Sequence, residues 1–395
     1  MKSRIPIGVW VLGFVSMLMD ISSEMIHSLL PLFMVGTLGA SVFMVGLLDG
    51  LAEATALLVR VFSGAWSDFL GRRKGLAVLG YGLGALSKPL FAVASGVTPV
   101  LAARLLDRIG KGIRGAPRDA LIADMTPADI RGAAFGLRQS LDTIGAFIGP
   151  LLAVGLMIIW ANDFRVVFWV AVVPGVLAVT LLLIGVRDPV PVRKVARINP
   201  LSRERMSQLG RRYWQVVVLG AFFTLARFSE SFLILRAEQS GVALSLVPLV
   251  MVLMNVVYSL AAYPFGRLAD RVSHTKLLSI GLVILIVADV SLAINDSLWM
   301  TLAGVILWGV HMGMTQGLFA MMIAEAAPAD LRGTAFGIFS LMSGVTMLVA
   351  SATAGLLWDR FGAASTFHAG AIIGLLALLF TSSLAVRTSP PDRLD

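Results

Sequence analysis

The segment ADMTPADIRGAAFGL, residues 123–137, returns as AEAAPADLRGTAFGI, residues 324–338, with nine of its 15 residues identical. In both copies a proline is followed by an acidic residue, an Arg-Gly pair, and then small and aromatic residues. The two prolines, Pro127 and Pro328, stand 201 residues apart. A match of this length predicts that the chain contains one structural unit twice.

A second pair of segments supports the same duplication. GAWSDFLGRRK at residues 64–74 is similar to GRLADRVSHTK at residues 266–276, and Asp68 and Asp270 are separated by 202 residues. Two unrelated segments that keep one spacing in a chain of 395 residues predict halves of about 200 residues each.

The composition indicates that lipid surrounds most of the chain. Hydrophobic residues make up 57% of the sequence and charged residues only 14%, whereas soluble domains are about one-quarter charged. A duplicated and very apolar chain is typical of secondary transporters, whose substrate sites lie between the repeats. The chain has no cysteine, which excludes disulfide and thiolate chemistry. No cofactor is expected.

The net charge of +9 is explained by loop positions rather than by a nucleic-acid-binding surface. Basic residues crowd residues 187–212 and the other loops on the same predicted side, together with both chain ends. Lysine and arginine in alternate loops are the positive-inside pattern of membrane proteins. We therefore expect both termini to be cytoplasmic, the protein to lie in the cell (inner) membrane, and no nucleic acid to bind.

Twelve segments are long and apolar enough to cross a bilayer, which takes about 20 residues. Numbered one to twelve, these spans cover residues 6–33, 42–63, 75–95, 99–123, 132–158, 165–186, 213–236, 243–265, 276–294, 298–325, 333–357 and 365–386. The sequence therefore predicts an all-α membrane protein of twelve transmembrane helices in two pseudo-symmetric six-helix bundles. The bundles are residues 1–186 and 213–395, and residues 187–212 form a basic cytoplasmic linker.

The loop after span two resembles the signature loop of the major facilitator superfamily. The matching positions are Gly64, Asp68, Gly71, Arg72, Arg73 and Lys74, with a weaker copy at Gly266, Asp270 and Arg271. A glycine lets two helices approach closely, and an aspartate can accept hydrogen bonds from a helix N-terminus or an arginine. The resemblance implies two rocking bundles with a cytoplasmic gate at these residues, Asp68 and Arg72 above all. The alternative is that the charges only set the topology.

Span five contains Gly145-Ala-Phe-Ile-Gly149-Pro150, which resembles the motif of the drug:proton antiporter branch of that superfamily. Small residues four apart allow close helix packing, and a proline bends a helix. The resemblance implies efflux, while ordinary helix packing would require the same residue types.

Span four carries seven ionisable residues, more than a lipid-facing helix tolerates. They are Arg104, Asp107, Arg108, Lys111, Arg114, Arg118 and Asp119. Each charge at the centre of a span costs about 2.5–3.5 kcal/mol, and the cations recur at helical spacing, so this stripe is predicted to face away from lipid. The second half has Gly309, Met312 and Thr315 at the positions of Arg108, Lys111 and Arg114. The charge therefore belongs to the first half alone, an asymmetry that helix packing does not require.

Other ionisable residues supply the remaining candidates. Asp20 and Glu24 lie one turn apart on span one. Burial favours the protonated form of a carboxyl group and a nearby cation favours the ionised form, so such a pair is suited to proton coupling. A static ion pair is the alternative. In the resembled superfamily, spans one, four, seven and ten line the cavity. That resemblance implies the substrate-binding candidates Arg104, Asp107, Arg108, Lys111, Arg227, Glu230 and His311.

These observations predict a proton-coupled antiporter that exports a small molecule by alternating access. A proton symporter or an exchanger for an anionic metabolite is the first alternative, because of the cationic stripe. The 18 methionines make a divalent metal exporter a minor one, although the four histidines show no metal-ligand spacing. A receptor or a membrane enzyme would need a soluble domain or a catalytic cluster, and neither is visible. The partners expected are a small-molecule substrate, protons and the bilayer, with the protein as a monomer.

Overall fold

The computed structural model describes residues 5–70, 73–127, 130–186, 208–269, 272–294, 297–328 and 331–388. In the first half the spans are the helices Ile7–His27, Val42–Leu70, Arg73–Val93, Val97–Met125, Arg131–Ile159 and Phe164–Gly185. In the second half they are Arg211–Ala226 with Ser231–Gln239, Leu249–Ala269, His274–Ile294, Leu298–Ala326, Arg332–Phe361 and Ala363–Thr388. The predicted all-α fold is confirmed, and we keep the span numbers for these helices.

Eleven of the spans in the described part of the chain are apolar enough to cross a membrane by length and composition. Span four, Val97–Met125, is not among them. Its ionisable residues recur along the whole helix, so no long window of it is free of charge. The surrounding spans must therefore shield its polar face from lipid.

Contacts divide the chain into two compact units. The first is Met1–Ile198 with Val242–Val252, and the second is Asn199–Gly241 with Leu253–Asp395. In the first unit, span one packs against spans five and six, and span three packs against spans four and six. In the second unit, span seven packs against spans eleven and twelve, and span nine against spans ten and twelve. The same four pairings recur, as duplicated halves require.

Span one is interrupted where the sequence predicts a continuous segment. Its long helix ends at His27, and a short helix, Leu30–Leu32, and a π-helical turn, Phe33–Thr37, follow. Pro31 lies in the short helix and has no N–H to donate to the preceding turn, so the regular hydrogen-bond ladder cannot pass through it.

Span seven is also interrupted, at Arg227–Glu230 between Ala226 and Ser231. Side chains take over the role of backbone carbonyls in this gap. The Ser229 backbone N–H donates to the Ser351 Oγ at 3.1 Å, and the Ser231 N–H donates to the Ser229 Oγ at 3.2 Å. Serine hydroxyls offer the backbone such alternatives to helical bonds. Discontinuous spans are a common feature at transporter substrate sites.

Candidate functional site

Span four presents its arginines to the interior of the first unit. Arg104, Arg108 and Arg114 are 7%, 6% and 5% exposed, as the predicted stripe requires. Lys111, one turn from Arg108 on the same helix, is exposed instead. The stripe therefore has one accessible lysine between enclosed arginines.

Two buried ion pairs form the deepest part of the cluster. The Lys88 Nζ, in span three, donates to the Asp107 Oδ1 at 2.7 Å and to the Ser23 Oγ at 2.9 Å. The Arg104 Nη2 donates to the Asp49 Oδ1 at 3.1 Å. All four ionised side chains are nearly or fully enclosed. We call Lys88, Asp107, Arg104 and Asp49 the inner layer, and its short contacts hold spans two, three and four together.

Three further carboxylates are more accessible and more loosely paired. The Asp20 Oδ1 lies 3.8 Å from the Arg114 Nη2, and the Glu53 Oε2 lies 3.9 Å from the Arg108 Nη1. The side chains of Asp20, Glu24 and Glu53 are 29%, 28% and 43% exposed. Charge-assisted hydrogen bonds are about 2.7–2.9 Å long, so these pairs have Coulombic attraction without a short hydrogen bond. We call Asp20, Glu24 and Glu53 the outer layer.

His27 connects the two layers at the break in span one. Its Nε2 lies 3.6 Å from the Asp107 Oδ2, and its Nδ1 lies 3.6 Å from the Glu24 Oε1. The same Nδ1 lies 3.3 Å from the Arg108 Nη2. A guanidinium can only donate, so the Nδ1 accepts from Arg108 and the ring proton of the neutral imidazole is assigned to the Nε2, facing Asp107.

Sequence reasoning did not assign Lys88 or His27 to the site. Both carried a signal: Lys88 is the single cation of the span predicted at residues 75–95, and His27 follows Glu24 by three residues, on the same face of span one. Their pairing with Asp107 joins residues that are 19 and 80 positions apart, which no local pattern reveals.

The glycines of span five lie where this helix crosses span one. A Cβ on Gly145 would stand 2.6 Å from the Met17 carbonyl oxygen and 3.1 Å from the Asp20 Cβ. A Cβ on Gly149 would stand 2.8 Å from the Glu24 Cβ. The antiporter-like motif, which Pro150 completes, therefore allows close contact at the two turns of span one that carry Asp20 and Glu24.

A second ionic network braces the other end of span four. The Arg138 Nη1 lies 3.0 Å from the Asp142 Oδ2, one turn along span five, and 3.7 Å from the Asp119 Oδ1. The Arg118 Nη1 donates to the Ser16 Oγ at 2.7 Å. These contacts tie spans one, four and five together.

The predicted gate is described only in part. Gly64 permits close packing of spans two and four, because a Cβ there would stand 3.4 Å from the Ala116 Cβ. The Arg73 Nη1 lies 2.6 Å from the Asp124 Oδ2 at the adjoining ends of spans three and four. The remaining gate predictions fall outside the described residues or side chains: Asp68, Gly71, Arg72, Asp270 and Arg271.

The candidates in the second unit differ in burial. Arg227 and Glu230 border the break in span seven, and both are half-buried. His311 is 1% exposed, its Nδ1 donates to the Gly281 carbonyl oxygen at 2.7 Å, and its ring stacks on Phe223. A buried histidine that bonds to backbone serves packing in this conformation. In the described residues, no group of three or more side chains is arranged to hold a metal ion.

Two repeated helical units, interrupted spans and buried charges inside an apolar protein define a membrane transporter rather than an enzyme. The family model of the Major Facilitator Superfamily matches residues 12–240 and 216–395. The chain belongs to the Major Facilitator Superfamily, and the resemblance found in the loop after span two is confirmed at that level.

Individual relatives agree with this assignment. The chain is 30% identical over 377 residues to an uncharacterized MFS-type transporter of Methanocaldococcus jannaschii, covering 94% of this chain and 93% of the relative. It is 30% identical over 163 residues to the multidrug resistance protein MdtH of Photorhabdus laumondii, covering 41% of this chain and 40% of MdtH. Among solved structures, a bacterial homolog of the human lysosomal transporter Spinster matches with a TM-score of 0.80 at 18% identity, covering 98% of each chain. This likeness supports the fold.

Proposed function

We propose that the protein is a proton-coupled antiporter that exports a small molecule from the cytoplasm by alternating access. The observation that carries this proposal is the contrast between the two layers of charge. The inner layer is paired at 2.7 and 3.1 Å and enclosed. The outer layer is paired at 3.6–3.9 Å and partly exposed, so its carboxylates can exchange protons without dismantling the bundle.

Proton exchange at Asp20 and Glu24 would then be linked to substrate. A carboxylate near a cation is stabilised in its ionised form, and loss of that cation from its vicinity favours protonation. Arg114 and His27 are the neighbours whose small displacement would change this balance. A cationic or polar substrate that contacts the outer layer would compete with protons for the same carboxylates.

The charge balance of the cluster favours export of a neutral or cationic molecule over an anion. Around the two layers, five carboxylates accompany five cations. The carboxylates are Asp20, Glu24, Asp49, Glu53 and Asp107, and the cations are Lys88, Arg104, Arg108, Lys111 and Arg114. Because the charges cancel, the cluster supplies little net attraction for an anion. The similarity to a multidrug resistance protein over part of the chain is consistent with efflux.

A symporter or exchanger for an anionic metabolite is the second candidate, and the exposure of Lys111 favours it. In the described part of the chain no ion pair within 4.0 Å involves this lysine, although Glu53, Asp20 and Glu24 act on it electrostatically. An anion could therefore bind between Lys111 and Arg108. Divalent metal export has no support from the described side chains.

The remaining expectations complete the proposal. The protein would lie as a monomer in the inner membrane with both termini in the cytoplasm. Residues around Asp68 and Arg72 would form the cytoplasmic gate, and Arg227 and Glu230 would contact substrate at the break in span seven.

Reconstituted vesicles with an imposed pH gradient test the function. Lipophilic cations and organic anions would be offered in parallel, with internal pH followed by a trapped dye. Antiport predicts that substrate and protons move in opposite directions, and that Asp20→Asn abolishes the pH dependence without unfolding the protein. Glu238→Gln, an exposed acidic position in the second unit, is the matched control. An Asp20→Asn variant with unchanged pH dependence would remove the coupling assignment.

Lys111→Gln separates the two candidates in the same assay. This substitution should weaken the binding of an anionic substrate by about tenfold or more, because one direct ionic contact is lost. It should leave export of a cation unchanged or slightly improved. Co-entry of protons with an anion, abolished by Lys111→Gln, would replace the antiport proposal with symport.

A further inference from the structure

A carboxyl group without a partner is enclosed in the second unit. Asp289 lies in span nine and is 0% exposed. Neither of its oxygens has a hydrogen-bond partner, and no ion pair in the described residues includes it. A buried ionised carboxylate without a compensating contact is very unfavourable, so the position is unsuited to a static charge.

Aromatic rings and a glycine surround this carboxyl group. A Cβ on Gly370, in span twelve, would stand 2.5 Å from the Asp289 Oδ2 and 3.1 Å from the Phe228 Cε1. Phe228 belongs to the break in span seven, and its ring lies 5.4 Å from that of Trp308 in span ten. The Trp308 Nε1 is buried and also has no partner. An unpaired donor and an unpaired acceptor thus flank the same phenylalanine.

The internal duplication gives this group a counterpart in the first unit. The offset of 201 residues also holds in the packing of the spans. A Cβ on Gly80 would meet Arg114, and a Cβ on Gly281 would meet Thr315, with each pair displaced by the same offset. Spans three and four therefore align with spans nine and ten residue by residue.

On that alignment, the Lys88–Asp107 hydrogen bond of the first unit has no equivalent in the second, where both corresponding polar groups are unpaired. Lys88 corresponds to Asp289, Asp107 to Trp308 and His27 to Phe228. In the first unit the Lys88 Nζ and the Asp107 Oδ1 are 2.7 Å apart. The second unit has a carboxyl acceptor and an indole donor at these two places, and they are not joined in this conformation.

Other titratable groups on the packed spans do not satisfy the carboxyl group. The Arg236 Nε donates to the Leu292 carbonyl oxygen at 2.9 Å, and the His311 Nδ1 donates to Gly281. Arg227 and Glu230 flank Phe228 in span seven, and His368 of span twelve is exposed. None of these groups forms an ion pair with Asp289 within 4.0 Å in the described part of the protein.

A proton is the ligand that this site can accept. A metal ion needs several oxygen ligands, and the described residues include no group of three or more suitable side chains. The space at Gly370 does not admit even one additional methyl group. An organic cation is excluded by the same crowding.

We propose that Asp289 is a proton-binding site of the second unit, protonated in this conformation and ionised when movement at the span-seven break brings the Trp308 indole N–H and water to it. On release, the carboxyl O–H bond breaks, the proton passes to a water molecule, and the electron pair stays on the carboxylate. The Trp308 Nε1 then donates to the carboxylate, which restores the counterpart of the Lys88–Asp107 bond. The link between Asp289 and transport rests on the proposed proton coupling. The protonation of Asp289 itself does not depend on that proposal.

Infrared spectra of the full chain in lipid test the protonation directly. The wild type should show a protonated-carboxyl C=O band at neutral pH that Asp289→Asn lacks and Glu238→Gln retains. Asparagine resembles the neutral acid in shape, so the apparent unfolding temperature of the Asp289→Asn variant should match that of the wild type. A wild-type-minus-variant spectrum without the band would overturn the proposal.

Trp308→Phe tests the indole without removing the carboxyl group. The band should persist at neutral pH and disappear at a pH about one unit or more above the wild-type value, since a hydrogen bond to the ionised form is lost. An unchanged pH midpoint would overturn the role of Trp308. If Asp289→Asn does not fold, a raised midpoint in Trp308→Phe still assigns the band to Asp289, and a wild-type spectrum without any protonated-carboxyl band overturns the proposal.

Transport measurements test the coupling role of Asp289. Asp289→Asn should lower pH-driven flux by about tenfold or more while substrate binding persists. Proton-coupled flux unaffected by Asp289→Asn overturns the coupling role of Asp289. Absence of any proton-coupled flux in the wild type would instead overturn the proposed function, and the infrared band would still show whether Asp289 holds a proton.

Discussion

Replacing Asp107 by asparagine tests whether the inner layer is a fixed brace. The Asp107 Oδ1 and the Lys88 Nζ are 2.7 Å apart, and Lys88 is 0% exposed. At an effective dielectric constant of about 20, unit charges at this distance attract each other by about 6 kcal/mol before desolvation is counted. The desolvation of both groups offsets much of that attraction.

The variant should nevertheless be strongly destabilised, because Lys88 would remain enclosed without a counter-charge. Removing one partner of a buried pair costs about 3–5 kcal/mol. Lys88→Met should lower the free energy of unfolding by a similar amount, because Asp107 would then be buried without its lysine partner. The double variant, Lys88→Met with Asp107→Leu, should lose far less than the sum of the single variants, since no unpaired charge is left in the bundle.

Equilibrium unfolding in mixed detergent micelles, followed by circular dichroism, gives these free energies of unfolding. Arg60→Gln is the matched control, because the Arg60–Asp119 pair is solvent-accessible, with side chains 56% and 28% exposed. Such pairs contribute about 0–1 kcal/mol. Two results would refute the structural role of the inner layer. One is an Asp107→Asn variant whose free energy of unfolding lies within about 1 kcal/mol of the wild type. The other is a double variant that loses as much stability as the two single variants together.

Two further variants probe helix contacts. Gly145→Ala should destabilise the first unit by about 1–3 kcal/mol and impair transport, because its Cβ would stand 2.6 Å from the Met17 carbonyl oxygen. Gly155→Ala is the control and should fold and transport normally, because the space around Gly155 is open. Equal stability and transport of the two alanine variants would contradict this prediction. Tyr213→Phe should cost about 0.5–1.5 kcal/mol of unfolding free energy, because the buried hydroxyl donates to the Ala335 carbonyl oxygen at 2.9 Å; no loss in detergent unfolding would show that water replaces this bond.

The span-four stripe shows how far local patterns reach into the site. Periodicity predicts that Arg104, Arg108 and Arg114 turn away from lipid, and all three are buried. The same periodicity does not distinguish Lys111, which is exposed. Helical spacing fixes direction to within about a quarter of a turn, whereas exposure depends on which neighbouring helix covers each position.

The break in span seven shows a second limit. The segment Arg227-Phe-Ser-Glu-Ser231 is polar in the middle of an apolar span, so it predicts candidate site residues there. It does not predict that the helix opens at Arg227–Glu230. That opening depends on Ser351, in a helix more than a hundred residues away, which accepts the freed Ser229 N–H.

The sequence by itself determined the apolar spans, the duplication and the presence in span four of charges that lipid cannot solvate. It could do so because a bilayer requires long apolar helices, and repeats preserve spacing. Only the tertiary structure decided which charges are neutralised and which are accessible, as in the pairing of Lys88 with Asp107 and the isolation of Asp289. These properties depend on distances of a few ångströms between helices that are remote in the chain, and Coulombic and hydrogen-bond energies change steeply over such distances.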